Sequence, residues 1–413
     1  MALRKADRDL RLAEGLREMP SWLRALFGVD SVDRTLRHAI ANLEQLVSPA
    51  GHHHEHPGHW AGDQEGAYAL AVLVAVREHA SPAAGPFRQY GLDAPPTENE
   101  IATRIIEGRE TWWDLAYFSA FERKDTEAFV HLAETRTGRL VGNTLKARGT
   151  VIALTLGGLF FVPGTLLAFM RARSRGPRVN YTERWNPTYG LGVFLLAYLA
   201  YLGFATVFEQ LAGHVARSGG DGPLFPMPVF IALDSLTRFL PALIALGLLF
   251  RKARHVRTRF GLGGPFDGKL VLGAFAMLQI LDFGLRVAFD RFSTGDPTGG
   301  LSSAEEGPWG LVLGIVSACM AAPIAEEILY RGVLFRSLAN RLPVGVAALL
   351  SAVVFALVHF VPGTTLLLIG VVGFMTAMTY AASRTLLTAI VLHALYNAAV
   401  KIPEWIIYQT PLF

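Results

Sequence analysis

Pro323-Ile-Ala-Glu-Glu-Ile-Leu-Tyr-Arg331 decides how the chain must fold, because it sets two adjacent carboxylates and a guanidinium in an apolar run that starts near Trp309. A run of that length suits a helix crossing hydrocarbon, where charge is costly and is kept for a partner or a function. Two later apolar runs each carry one histidine, in Phe355-Ala-Leu-Val-His359 and His393-Ala-Leu-Tyr-Asn397. The first expectation is therefore that three membrane helices converge on one polar site.

Working outward, the 413 residues are 52% hydrophobic with a mean hydropathy of +0.34, above an ordinary soluble protein. The excess begins only after about Lys146, where apolar runs of roughly 16 to 24 residues recur. They predict spans over Thr150 to Met170, Tyr189 to Leu211, Pro228 to Phe250, Leu270 to Phe289, Trp309 to Tyr330, Val344 to Val361, Thr365 to Ala382 and Leu386 to Val400. The fold class is all-α, a polytopic membrane protein of about eight transmembrane helices with an N-terminal helical domain. The expected domains are 1–142, a helical domain of unread role, 150–300, a first transmembrane bundle, and 301–402, a catalytic transmembrane core.

Before the first span, helical spacing predicts helices over Asp7 to Phe27, Ser31 to Val47, Glu98 to Gly108 and Thr111 to Arg136. Gly66 to Val76 is apolar but too short to span, which suits a buried core helix. The histidines between His52 and His59 are read as a solvated loop, since Pro57 and Gly58 break the spacing a preformed metal site needs. The single cysteine, Cys319, allows no internal disulfide and is read as a small buried apolar side chain. The opening residues carry no apolar stretch of the secretory type, so no signal peptide is expected.

The net charge of +4 is small. Its cations gather in short loops, a membrane-topology pattern that excludes a nucleic-acid partner. Arg171, Arg173, Arg175 and Arg178 follow the first span, Arg251 to Arg259 the third, Arg331, Arg336 and Arg341 the fifth, and Arg384 the seventh. The positive-inside rule puts these four loops in the cytoplasm, both termini outside, and the Arg331 end of the fifth helix on the cytoplasmic side.

At about 100° per residue, Glu327 and Arg331 share a helix face and form an ion pair, whereas Glu326 points elsewhere and is left free for chemistry. Asn397 lies one turn beyond His393 on the same face. A carboxylate, two imidazoles and an amide can activate water and stabilise an oxyanion. Two further pairs, Asp234 with Arg238 and Asp282 with Arg286, sit four residues apart and are read as self-neutralised packing rather than substrate contacts.

Glu326-Glu327-x-x-x-Arg331, Phe355-x-x-x-His359 and His393-x-x-x-Asn397, in this order on successive membrane helices, resemble the CPBP or Abi family of intramembrane endopeptidases. That family includes the type II CAAX prenyl endopeptidases. The resemblance runs from about Trp309 to Lys401, and Ser383-Arg-Thr-Leu-Leu-Thr-Ala-Ile before the second histidine is similar as well. It implies an intramembrane protease in which Glu326 and His359 act on water, His393 and Asn397 form the oxyanion hole, and Glu327 with Arg331 brace the site. The glutamate and histidine mechanism needs no cofactor. If zinc were bound, Glu326, His359 and His393 would be its ligands.

The implied partners are the lipid bilayer and a membrane-associated peptide or protein substrate. Heavy use of Arg over Lys, with abundant Ala and Gly, suggests a GC-rich bacterial genome and hence a bacterial inner membrane. For a bacterial member the resemblance implies processing of lipid-linked peptides or C-terminal sorting segments, with the myxosortase branch as one candidate. The alternative is a non-catalytic bacteriocin-immunity or peptide-binding membrane protein. A transporter is disfavoured by the lack of an evident inverted repeat.

Overall fold

The computed structural model describes residues 2–47, 60–78, 98–107, 110–121, 127–175, 185–218, 227–250, 261–262, 264–289, 307–361 and 363–409. The His52 to His59 cluster, the Arg251 to Arg259 loop, Arg178 and the Arg286 side chain lie outside the described residues. The described residues are helical, with no strand among them, and divide into two compact units. One comprises 1–149, 296–302 and 403–413, and the other 150–295 and 303–402.

In the first unit the helices are α1 (Ala2–Gly15), α2 (Ser21–Leu26), α3 (Val32–Val47), α4 (Trp60–Glu78), α5 (Glu98–Ile106) and α6 (Trp112–Phe121). The single helix predicted over Asp7 to Phe27 is two, because Pro20 cannot continue a helix through its own position and instead precedes α2. From Ala67 to Ala75 every residue of α4 is buried, so its apolar run is the core helix that its length implied. Leu10, Leu36, Ile40, Ile101 and Trp113 pack on it.

Asp114 is wholly buried and organises this unit. Its Oδ2 accepts the Thr111 amide at 2.9 Å while the Thr111 hydroxyl accepts the Asp114 amide at 3.3 Å, a reciprocal cap on α6. Its Oδ1 accepts the Tyr68 hydroxyl at 2.8 Å and Arg104 at 3.1 Å. Burial first, then the Asp114 charge, pushes the Tyr68 phenol far above its usual range and keeps it a donor. Asp114→Ala removes a cap and strands two donors, an expected loss of about 2–4 kcal/mol from capping and desolvation together. Hydrogen exchange on the full chain checks it, with faster exchange expected in α4 and α6.

The second unit carries the spans. α7 (Glu127–Leu159), which belongs to the first unit up to Gly149, contributes Thr137–Leu159 to a candidate span that bends by 64° before α8 (Val162–Arg173), where a straight helix over Thr150 to Met170 was expected. Gly158 lies against the Leu272 carbonyl of α12 (Gly268–Phe289), so close that a Cβ there would sit 2.5 Å from it. Pro163 falls in the first turn of α8, where its missing amide costs nothing. The second span, α9 (Pro187–Ser218), is continuous. The third, Ile231–Leu249, is one candidate span with a turn at Arg238 and Phe239 between α10 (Met227–Thr237) and α11 (Leu240–Leu249), with Pro241 opening α11.

The fifth span, α13, continues well past Tyr330 and changes helix type along its length. It runs as Gly307–Val316, a π-helical Ser317–Ala321, Ala322–Glu326, a π-helical Glu327–Phe335 and Arg336–Ala339. Arg331 and Arg336, counted above as loop cations, are therefore buried inside a helix, Arg336 with its guanidinium 4.6 Å over the Trp185 ring. Then come α14 (Val344–Leu357), α15 (Gly363–Ser383) and α16 (Leu386–Gln409). α16 passes through Pro403 and does not stop at Val400; beyond that proline its residues belong to the first unit.

Six described helices are long and apolar enough to cross a membrane, seven with the bent α7 and α8 pair, and the short apolar α14 makes an eighth apolar segment. Leu195, Leu196, Leu199, Leu243, Leu349 and Leu350 are exposed on them. Apolar residues on outward faces are what a lipid-facing bundle requires, and the chain is an integral membrane protein. The loops after the first, third, fifth and seventh spans, expected on one side, have their described residues together. Arg175 donates to the Ala381 carbonyl at 2.9 Å, Asn340 to the Trp185 carbonyl at 3.2 Å, and Trp185 meets Phe250 edge to face.

Candidate active site

The site starts from a backbone irregularity. A π-turn releases carbonyls from the regular helical ladder, and in a membrane those carbonyls need other partners. In the first π segment the Ala318 carbonyl accepts Asn397 Nδ2 at 2.8 Å, and in the second the Tyr330 carbonyl accepts the Ser351 hydroxyl at 3.3 Å. α13 is thus pinned to α16 and α14 on either side of Glu326 and Glu327.

Glu327, at the start of the second π segment, is wholly buried. Its Oε2 lies 3.1 Å from Arg331 Nε, and its Oε1 is 2.9 Å from His393 Nδ1. Arg331 Nη2 donates to the Gly373 carbonyl at 3.0 Å, and its guanidinium lies 4.3 Å over the Phe355 ring. The expected Glu327 and Arg331 pair is therefore one part of a longer chain, Arg331 to Glu327 to His393, that joins α13, α15 and α16.

Gly373 is the close approach that makes this chain reach. A Cβ there would stand 2.9 Å from Phe355 Cδ1 and 3.2 Å from Ala352 Cα, so α14 and α15 pack backbone against backbone. Gly373→Ala is expected to part these helices at a cost of about 1–3 kcal/mol. Thermal unfolding of the full chain in detergent reads this as a lowered midpoint.

The two histidines have definite tautomers. A carboxylate only accepts, so His393 Nδ1 carries its proton toward Glu327, and His393 Nε2 is turned toward Glu326 Oε2 at 3.9 Å. His359 Nδ1 lies 2.6 Å from the Phe355 carbonyl, again an acceptor, so the proton is on Nδ1 and the lone pair on Nε2. His359 stands just past the end of α14, not within a helix reaching Val361, and Phe360 after it is left-handed with φ 52°.

Glu326 and His359 open onto one cavity of about 170 Å³. Tyr198, Tyr201, Arg238, Pro241, Ala325, Leu329, Tyr330 and Val358 complete its wall. His393 and Asn397 are not among its lining residues, though His393 Nε2 stands 3.9 Å from Glu326 Oε2. His393 is tied to Glu327, and Asn397 spends one amide hydrogen on Ala318. Arg238, read above as self-neutralised, is paired with Asp234 at 2.9 Å but also faces the cavity. Sequence reasoning passed over Tyr198 and Tyr201; two tyrosines three apart on a spanning helix are the signal that marks them.

The zinc alternative fits poorly. Among the described residues no three His, Cys, Asp or Glu side chains converge as a metal-binding set. No chemical step is assigned to a metal here.

Residues 308–399 match the family model described as type II CAAX prenyl endopeptidase Rce1-like. No curated protein and no solved structure matches the chain significantly. The matched segment holds α13, α14, α15 and most of α16, and with them Glu326, Glu327, Arg331, His359, His393 and Asn397.

Proposed function

With residues 308–399 carrying a domain of the intramembrane CAAX-protease type, a peptidase family, we propose that the chain hydrolyses a peptide bond of a membrane-associated substrate in the cavity that Glu326 and His359 share. The observation that carries this reading is that pair: a carboxylate on α13 and an imidazole in the turn just past α14, its Nδ1 bonded to the Phe355 carbonyl, both lining one space.

A water between them gives one hydrogen to a hydrogen bond with His359 Nε2 and loses the other as a proton to Glu326. Its oxygen bonds to the scissile carbonyl carbon. The tetrahedral oxyanion then collapses with cleavage of the C–N bond, and Glu326 returns the proton to the leaving amine. Glu327 and Arg331 brace the site through His393. His393, held by its Nδ1–H to Glu327 and turned with Nε2 toward Glu326, forms the oxyanion hole together with Asn397. Asn397 retains a second amide hydrogen for the same task. The substrate class is prenylated or otherwise lipid-linked peptide, or a C-terminal sorting segment, and the membrane is a bacterial inner membrane.

The test uses the full chain in lipid discs, an S-farnesylated peptide and water enriched in oxygen-18. The expected product is an upstream fragment with one oxygen-18 in its new carboxylate, and His359→Ala abolishes it. Cleavage that persists in His359→Ala sinks the reading. A physiological effect of the chain that survives both Glu326→Gln and His359→Ala would mark it as a peptide-binding immunity protein.

A further inference from the structure

In the first unit, α2 is built inside out. Its exposed arc is Ser21, Trp22, Ala25 and Leu26, with Trp22 68% and Leu26 40% exposed, and that arc bears no charge. The charged residue of the helix, Arg24, is half-buried on the other side, about 200° round the axis from Trp22. A lone surface leucine needs no explanation. A helix that turns its apolar side chains outward and its cation inward is fitted to something other than water.

What covers that face follows from where α2 is held. Val29, just beyond it, packs with Leu12, Leu16 and Leu140, and Met19 and Phe27 on either side of α2 join the same group. Arg148 of α7 donates to the Phe27 carbonyl. Gly28, with φ 64°, turns the chain at that point, and its missing Cβ leaves room for the guanidinium. Arg148 is also a landmark along α7, the last charged residue before Arg171. Beyond it the candidate span runs on through Leu154 and Leu156, both exposed. An arginine at the edge of such a run sits at headgroup level, its stem along the acyl boundary and its cation in water. α2 ends next to the residue that this arginine holds, and its six residues measure about 9 Å, so Trp22 and Leu26 stay close to that level.

We propose that α2 is an interfacial anchor, with the face of Trp22, Ala25 and Leu26 lying in the headgroup boundary of the bilayer that α7 enters. Tryptophan suits that depth, because its ring is apolar and its indole N–H can still reach headgroups or water. The occupant is lipid and not a second copy of the chain, since the face adjoins, through Arg148, a helix whose own outward side meets lipid. The N-terminal unit is thereby tied to the membrane surface by α2 as well as by α7.

The test uses the full chain in phosphatidylcholine vesicles. Cys319→Ala removes the one native thiol, and a nitroxide is attached at Ala25→Cys, which leaves Trp22 and Leu26 in place. Power saturation of its spectrum compares accessibility to oxygen, which concentrates among acyl chains, with accessibility to a hydrated nickel chelate, which stays in water. A label at Arg37→Cys, on the exposed side of α3, gives the aqueous reference. The oxygen-to-nickel ratio at position 25 is expected to exceed that at position 37 several-fold, and Trp22→Glu with Leu26→Glu to bring it down to the reference value. Equal ratios at the two positions in the parent overturn the proposal by placing the face in water. Low accessibility to both reagents at position 25 also overturns it, because protein would then cover the face, a second copy if the spectrum shows dipolar broadening. A high ratio unmoved by the two glutamates does the same, since the contact would not come through Trp22 and Leu26.

Discussion

Replacing Glu326 by glutamine is expected to lower turnover by about 10²–10⁴, the worth of a positioned general base, while leaving the unfolding midpoint where it was. The reason for the second half is structural. Glu326 is 22% exposed at its side chain, and its nearest ionic neighbour, His393 Nε2, is 3.9 Å away, beyond hydrogen-bond distance. A neutral amide of the same shape therefore strands no buried partner. His359→Ala is expected to fall by a similar factor with little change in KM, because its Nε2 orients water and not peptide. The double variant is expected to cost about as much as either single one, since the two groups act on one water as a unit. Steady-state kinetics on the farnesylated peptide read all three, and a Glu326→Gln enzyme within tenfold of the parent would refute the assignment.

The largest stability effect is expected at Glu327. Glu327→Ala leaves the Arg331 cation fully buried with one carbonyl and the Phe355 and Tyr330 rings for company, at a cost of about 3–5 kcal/mol. Replacing both partners by apolar residues, Glu327→Leu with Arg331→Met, is expected to return most of that loss, because a buried pair often does no better than a hydrophobic one. Activity is expected to stay low in the double variant, since His393 Nδ1 has lost the acceptor that fixes its ring. Unfolding midpoints and turnover measured on the same samples separate the two roles. If the double variant were as unstable as Glu327→Ala, the pair would be contributing more than mutual neutralisation.

Much of this architecture could be read before any coordinates. The recurrent apolar runs announce membrane helices because hydrocarbon thickness imposes their length, and the four-residue spacing of Glu327 and Arg331 announces their pairing. What stayed hidden has a common physical character. Nothing in Ser317–Ala321 or Glu327–Phe335 distinguishes a π-turn from an α-turn, since the extra residue is stabilised by Asn397 and Ser351 from other helices. Arg336 read as a loop cation because hydropathy does not register a Trp185 ring waiting across a helix gap. Arg238 read as self-contained because a four-residue spacing says which charges meet, not which donors stay open. Glu327 as the partner of His393 required two spans to be brought together across 66 residues of chain.

The early ending of α14 has a consequence for the surrounding lipid. At 1.5 Å per residue its 14 residues measure about 21 Å, against about 30 Å of hydrocarbon. Acyl chains beside it must compress or disorder to meet the exposed Phe360 just past its end. The leaflet on that flank is therefore expected to thin locally, and if His359 acts on water as proposed, turnover of the full chain should rise in short-chain lipids and fall in long-chain ones.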